Sequence, residues 1–173
     1  LPDSVTEIED YAFSGCSNLS NVKLPKNVTS IGTGAFYNCD KLTSIEIPKS
    51  LQTGGGRFFS GAFDDCDNLK EVIFEVGTTK VADFLFKNCT GLETITIPEG
   101  VTKIGNQAFK NCKNLRVLNM PESTTEIGFE AFSNTALEQV VITNKVTEIG
   151  DSAFKECNNL LEIILSDSVT NMG

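Results

Sequence analysis

Six cysteines, a group of neighbouring aspartates and a triple glycine are the features of this 173-residue chain that could do chemistry, and it contains no histidine. Without imidazole, the commonest general base, the Ser-His and Cys-His nucleophile arrangements and every zinc site that needs a histidine ligand are removed. Carboxylate acid–base chemistry is what is left, and Asp64, Asp65 and Asp67 are grouped within one turn. The same oxygens could ligate calcium. Acidic residues at turn positions are ordinarily solvated, and that is the expectation for these three.

The cysteines, Cys16, Cys39, Cys66, Cys89, Cys112 and Cys157, are spread about one repeat apart and form no C-x-x-C pair, which argues against a compact metal site. Each is expected to be a small buried apolar group. Thr135 fills the one place where a cysteine is missing, so sulfur is not demanded there. Stacked coils would bring neighbouring cysteines close enough that an occasional bridge stays geometrically open. Gly54-Gly-Gly56 is followed by neither Lys-Ser nor Lys-Thr, so it does not read as a phosphate loop. It reads as a bulge within a four-residue insertion around Leu51 to Arg57. Alignment of the repeats assigns Phe58 to an inward isoleucine column and Phe59 to the usual glycine place, which makes Phe59 a candidate contact residue.

These residues are carried by a repeat. Phe13, Phe36, Phe63, Phe86, Phe109, Phe132 and Phe154 are separated by 23, 27, 23, 23, 23 and 22 residues, and self-similarity at such a period is the signature of a solenoid. Leu19, Leu42, Leu69, Leu92, Leu115, Leu137 and Leu160 keep the same phase. Seven full units and a partial eighth account for residues 1–173 as a single domain. The chain opens and closes inside a unit, so it is expected to be a piece of a longer protein without polar end caps.

Within a unit, a run such as Leu92 to Ile97 alternates apolar and polar residues, as a short strand with one buried face does. Pro2, Pro25, Pro48, Pro98 and Pro121 stop that pairing, because proline has no N–H to give. A second extended piece, Val101 to Ile104, ends at Gly105, where a glycine tolerates unusual backbone angles. Asp10, Thr33, Ser60, Asp83, Asn106 and Asp151 then stand where side chains could cap a helix, predicting one helical or 3-10 turn per unit. The fold class is therefore an α/β repeat solenoid of about 23 residues per coil, with a parallel β-sheet face and short helical or 3-10 turns.

Leu92-Glu-Thr-Ile-Thr-Ile-Pro98, Val101-Thr-Lys-Ile-Gly and Ala108-Phe-Lys-Asn-Cys112 resemble the BspA-type leucine-rich repeat family, and every copy shares the pattern. The resemblance implies a right-handed leucine-rich superhelix, a cell-surface or secreted location, and adhesion to host extracellular-matrix or plasma proteins. It implies no particular ligand. Glu75 and Thr143 at the proline place, Thr135 at the cysteine place and the insertion depart from it.

With 40% hydrophobic and 21% charged residues the chain reads as folded. A net charge of −9 argues against nucleic acid, whose phosphates require clustered cations. No stretch reaches the roughly 20 apolar residues of a membrane span. No cofactor is expected. On the outward strand face one column reads Lys23, Glu46, Ile73, Thr96, Asn119, Val141 and Ile164, charged at one end and aliphatic at the other, with Val117 beside it. Adjacent exposed aliphatics suit a protein partner, although β-branched residues also favour strands for intrinsic reasons. Tyr11, Tyr37, Phe84 and Phe129 fall outside the core columns and are expected to cover coil edges. The sequence thus points to a non-enzymatic protein-binding solenoid, with Val117, Val141, Ile164, Ile73 and Phe59 as candidate contacts. A structural spacer is the alternative, and zero tryptophan disfavours a carbohydrate-binding module.

Overall fold

A computed structural model describes residues 1–56 and 60–173. In chain order its strands are β1 (Glu7–Ile8), β2 (Ser30–Ile31), β3 (Ser44–Ile47), β4 (Thr53–Gly54), β5 (Glu71–Phe74), β6 (Lys80–Val81), β7 (Thr94–Thr96), β8 (Lys103–Ile104), β9 (Val117–Asn119), β10 (Glu126–Ile127), β11 (Gln139–Val141), β12 (Glu148–Ile149), β13 (Glu162–Ile164) and β14 (Asn171–Met172). They form two rows. The back row pairs in parallel as β1–β2–β4 and as β6–β8–β10–β12–β14. The front row is not one sheet: it is three separate parallel pairs, β3–β5, β7–β9 and β11–β13.

Alternation decides what each strand buries. In β3 the side chains of Ile45 and Ile47 face inward while Ser44 and Glu46 face solvent. The inward residues meet a stack of phenylalanines running without interruption from Phe13 to Phe154, with ring centroids 5.0–5.8 Å apart and planes within 18° of parallel. Phe36, Phe63, Phe86, Phe109 and Phe132 are fully buried. One strand pair cannot close such a core alone, so each coil is stabilised by its neighbours.

The expected helical turn is absent: the Ala-Phe segment is a chain of turns, and no helix occurs among the described residues. The hydrogen bonds give the reason. The N–H groups of Tyr11, Phe13 and Gly15 donate to Thr33, Ala35 and Tyr37 of the next coil, while those of Ala12, Ser14 and Cys16 donate back to Glu9, Tyr11 and Phe13. An α-helix needs every N–H to bond four residues back along its own axis, and here alternate donors are taken by the neighbour. Left-handed residues enforce the alternation, at Tyr11 and Gly15 in the first coil and at Gln107 and Asn111 in a later one.

The expected cap residues act between coils as well. Asp10 Oδ1 accepts the N–H of Thr33, Asp83 Oδ1 that of Asn106, and Asn106 Oδ1 that of Phe129. The glycines that follow β2, β8, β10, β12 and β14 are needed for this approach and not for their backbone angles. A β-carbon on Gly105 would lie 2.6 Å from the Asp83 nitrogen.

In the insertion, Gly54 stands in the inward isoleucine column, directly paired with Ile31; Phe58, which the repeat alignment assigned to that column, lies outside the described residues.

Candidate functional site

The candidate contacts do not form one patch. Val141 and Ile164 are direct cross-strand neighbours on β11 and β13, both about half exposed. Val117 lies on the far side of the break between β9 and β11, and both valines line one groove. Ile73 is exposed but pairs with Glu46 on β3, away from the aliphatic end. Phe59 lies outside the described residues. The structure therefore brings together Val117, Val141 and Ile164, and leaves Ile73 apart.

The groove has a volume of about 690 Å³ and is lined from Arg116 to Met120 on the β9 side and by Glu138, Gln139, Val141 and Thr143 on the β11 side, with Glu122 and Leu161 also contributing. A shortened turn precedes one of its walls. Six coils use a Cys-x-x-Leu segment in which the leucine N–H donates to the cysteine carbonyl, as Leu115 does to Cys112 and Leu160 to Cys157. The remaining coil has only Thr135-Ala136-Leu137, one residue too few to close that bond, and the Thr135 hydroxyl donates to Phe132 O instead. The strand that follows, β11, is in no ladder with β9. Two inward side chains lose their cover: Leu118 and Met120 are only partly buried, whereas Val140 and Ile142, in the next coil, are 2% and 3% exposed. Sequence reasoning noted the odd residue Thr135 and missed the deletion beside it, although the 22-residue step from Leu115 to Leu137 carried the signal.

The remaining polar groups are structural. Asp64 is buried, correcting the expectation of a solvated turn, and accepts hydrogen bonds from Asn88 Nδ2 at 2.6 Å and the Gly61 N–H. Burial pushes its carboxyl above the usual range, partly offset by nearby Lys87 and the Asn88 hydrogen bond. Asn111 donates to Asn88 and Asn134 to Asn111, so an amide ladder ends on that carboxylate. The recurrence of Asn88, Asn111 and Asn134 at 23 residues was its sequence signal. No group of acidic or sulfur side chains able to hold a metal ion occurs among the described residues.

The cysteines are more than apolar spacers. Five thiols donate to the phenylalanine carbonyl of the preceding coil, Cys66 to Phe36 and Cys112 to Phe86 among them. All six are free. The expected edge packing of the outer aromatics is seen at Tyr11, whose ring lies across Gly34.

The sequence model of the BspA type leucine rich repeat region matches in six copies, over residues 1–90 and 59–173. A search of curated proteins gave no match. Among solved structures, a leucine-rich repeat protein from Bacteroides ovatus is similar at 27% identity and a TM-score of 0.70, over 100% of this chain and 55% of that one. A leucine rich cell surface protein from Faecalibacterium prausnitzii is 34% identical, with a TM-score of 0.64 over 92% of this chain and 42% of its own. A leucine-rich repeat protein from Eubacterium ventriosum is 27% identical, with a TM-score of 0.75 over 90% and 41% of the two chains. The chain thus spans about half the length of these relatives.

Proposed function

Since the chain belongs to the BspA-type leucine-rich repeat family, we propose that it is a non-enzymatic protein-binding solenoid of a cell-surface or secreted protein, contacting host extracellular-matrix or plasma proteins through the aliphatic end of its front face. The observation that carries this reading is the exposure of Val117, Val141 and Ile164 around the break in the front row. Clustered exposed aliphatics are costly to leave in water and are typical of protein contacts. The Faecalibacterium relative described as a cell surface protein supports the location. Neither the histidine-free composition nor the buried, hydrogen-bonded Asp64 supports catalysis.

A structural spacer is the second reading, favoured by the continuous phenylalanine stack. Titration of the chain over immobilised matrix and plasma proteins, at two salt concentrations, separates the two. Saturable binding that survives high salt is the expected result, and no binding to any member of the panel favours the spacer.

A further inference from the structure

The break between β9 and β11 has a property that an exposed sheet face lacks: two strand edges confront each other across a groove with no ladder joining them. On the opposite side of the same two coils the stacking is unbroken, with β8 and β10 paired and Phe109 and Phe132 5.4 Å apart. The opening is therefore confined to the front. At the other front-row break, between β5 and β7, Val72 is also only partly buried, but the next inward residue, Phe74, is 8% exposed and Ile97 across the break 3%, whereas both Leu118 and Met120 are uncovered here.

We infer that this groove takes an extended, basic peptide segment of a partner protein, laid parallel to β9 and β11, with alternate apolar side chains resting on Leu118 and Met120. The inference rests on the protein-binding reading above and names the kind of partner. An unpaired strand edge presents a row of backbone donors and acceptors, and another extended backbone is the ligand that matches their spacing. The wall from Arg116 to Met120 is five residues long, which at about 3.3 Å per residue accommodates a segment of roughly five residues. The partly uncovered Leu118 and Met120 give apolar side chains a floor. Glu122 and Glu138 outnumber Arg116 around the groove, and with a net charge of −9 on the chain this selects a basic occupant.

The test uses a fluorescein-labelled synthetic peptide of alternating valine and threonine with a lysine at each end, and the same peptide N-methylated at alternate amides. Anisotropy titration of the chain should show at least tenfold weaker binding of the methylated peptide. A second arm inserts one asparagine between Thr135 and Ala136, restoring the four-residue turn of the other coils. That variant should close the groove and bind the unmodified peptide at least tenfold more weakly than the parent. If circular dichroism shows the insertion variant unfolded, Val117→Lys, which puts a repelling positive charge at an exposed wall position, replaces it under the same criterion.

Equal affinity for the two peptides, equal binding by parent and closed variant, or no binding by the parent overturns the inference. So does a concentration-dependent dimer in sedimentation that the insertion abolishes, because a second copy would then be the occupant. The two levels of the reading fail separately. If a matrix or plasma protein is released by Val141→Glu but retained by the insertion variant, the sheet face binds it and the groove does not. If no panel protein binds while the peptide binds in a methylation-sensitive way, the groove stands and the matrix-protein reading falls.

Discussion

Leu85 occupies the space that Gly54 leaves in the inward column: a β-carbon on Gly54 would lie 2.6 Å from Leu85 Cδ1. In the coils flanking these two the column holds an isoleucine and the residue before the core phenylalanine is alanine, as with Ile31 and Ala35 and with Ile104 and Ala108, whereas the Leu85 coil has Val81 in the column. The insertion coil and its successor have exchanged volume between two positions. Leu85→Ala should therefore open a cavity and cost about 2–5 kcal/mol. Combining it with Gly54→Ile should recover part of that loss, while Gly54→Ile alone overpacks and destabilises by about 1–3 kcal/mol. Urea midpoints of the three variants check this, and strictly additive losses would show that the two residues do not share one space.

Phe109 stands between Phe86 and Phe132 with no exposure to solvent. Truncating it to alanine should cost about 3–5 kcal/mol, as for a packed phenylalanine. Thr96→Ala, at an outward position of β7, should change stability by less than about 0.5 kcal/mol. Similar denaturation midpoints for the two would invert the assignment of inward and outward columns.

The contrast marks which parts of the fold were legible. Columns such as Phe109, Leu115 and Cys112 recur because every coil buries the same side chain against the next, and that demand is visible as a period. The helical turn was misread because Asp10, Asp83 and Asn106 have the chemistry of helix caps, yet their acceptors serve donors one coil away. A single sequence does not reveal which of two nearby N–H groups a carboxylate will take. At the candidate site, Val117, Val141 and Ile164 were legible as outward aliphatics. The groove between them was not: it lies beside the short Thr135-Ala136-Leu137 turn, and how the strands after such a turn pair is seen only when their register is known.

Asp64 makes stability depend on pH in an unusual direction for a carboxylate. Its folded pKa is raised, by burial first of all and also by Asp65, against the lowering effects of Lys87, the Asn88 hydrogen bond and the Gly61 N–H. The folded chain thus binds this proton more tightly than the unfolded chain does. Its contribution grows as pH falls through the folded value, is complete below the unfolded value near 3.9, and is lost as pH rises again. Subtracting the stability of Asp64→Asn from that of the parent at each pH between about 7 and 4 should leave a difference that shifts in the parent's favour on acidification. A difference that shifts the other way would mean that the hydrogen bonds outweigh the burial.

The thiols should fall into classes. Burial pushes Cys66 up to about 12 and Cys39 up to about 11, and raises Cys89 and Cys112 as well, whereas Cys16 is exposed and Cys157 half-buried. Because the thiolate is the reacting species, a disulfide reagent at pH 8 should modify Cys16 first and Cys157 more slowly. The other four should react only with unfolding, and unfolded, unreduced protein should give six thiols. Rapid modification of Cys89 or Cys112 in the native state, or two or fewer thiols in the unfolded state, would contradict the buried ladder.

Val141 and Ile164 are adjacent across β11 and β13, at the end of an outward column that begins with Lys23 and Glu46. If a protein partner covers this end, these side chains form the desolvated centre of the contact, where most binding energy concentrates. Val141→Glu would bury an unpaired carboxylate there and should weaken binding by more than tenfold. Lys23→Ala, at the far end, should leave affinity within about twofold, as rim positions do. The Val141 side chain is 56% exposed, so the melting temperature should stay close to that of the parent and a folding defect can be separated from a binding defect. Affinity for whichever matrix or plasma protein the panel identifies, measured by titration over the immobilised partner, decides between the candidates. Should Val141→Glu bind as tightly as the parent while Phe59→Ala abolishes binding, recognition belongs to the insertion and not to the front face.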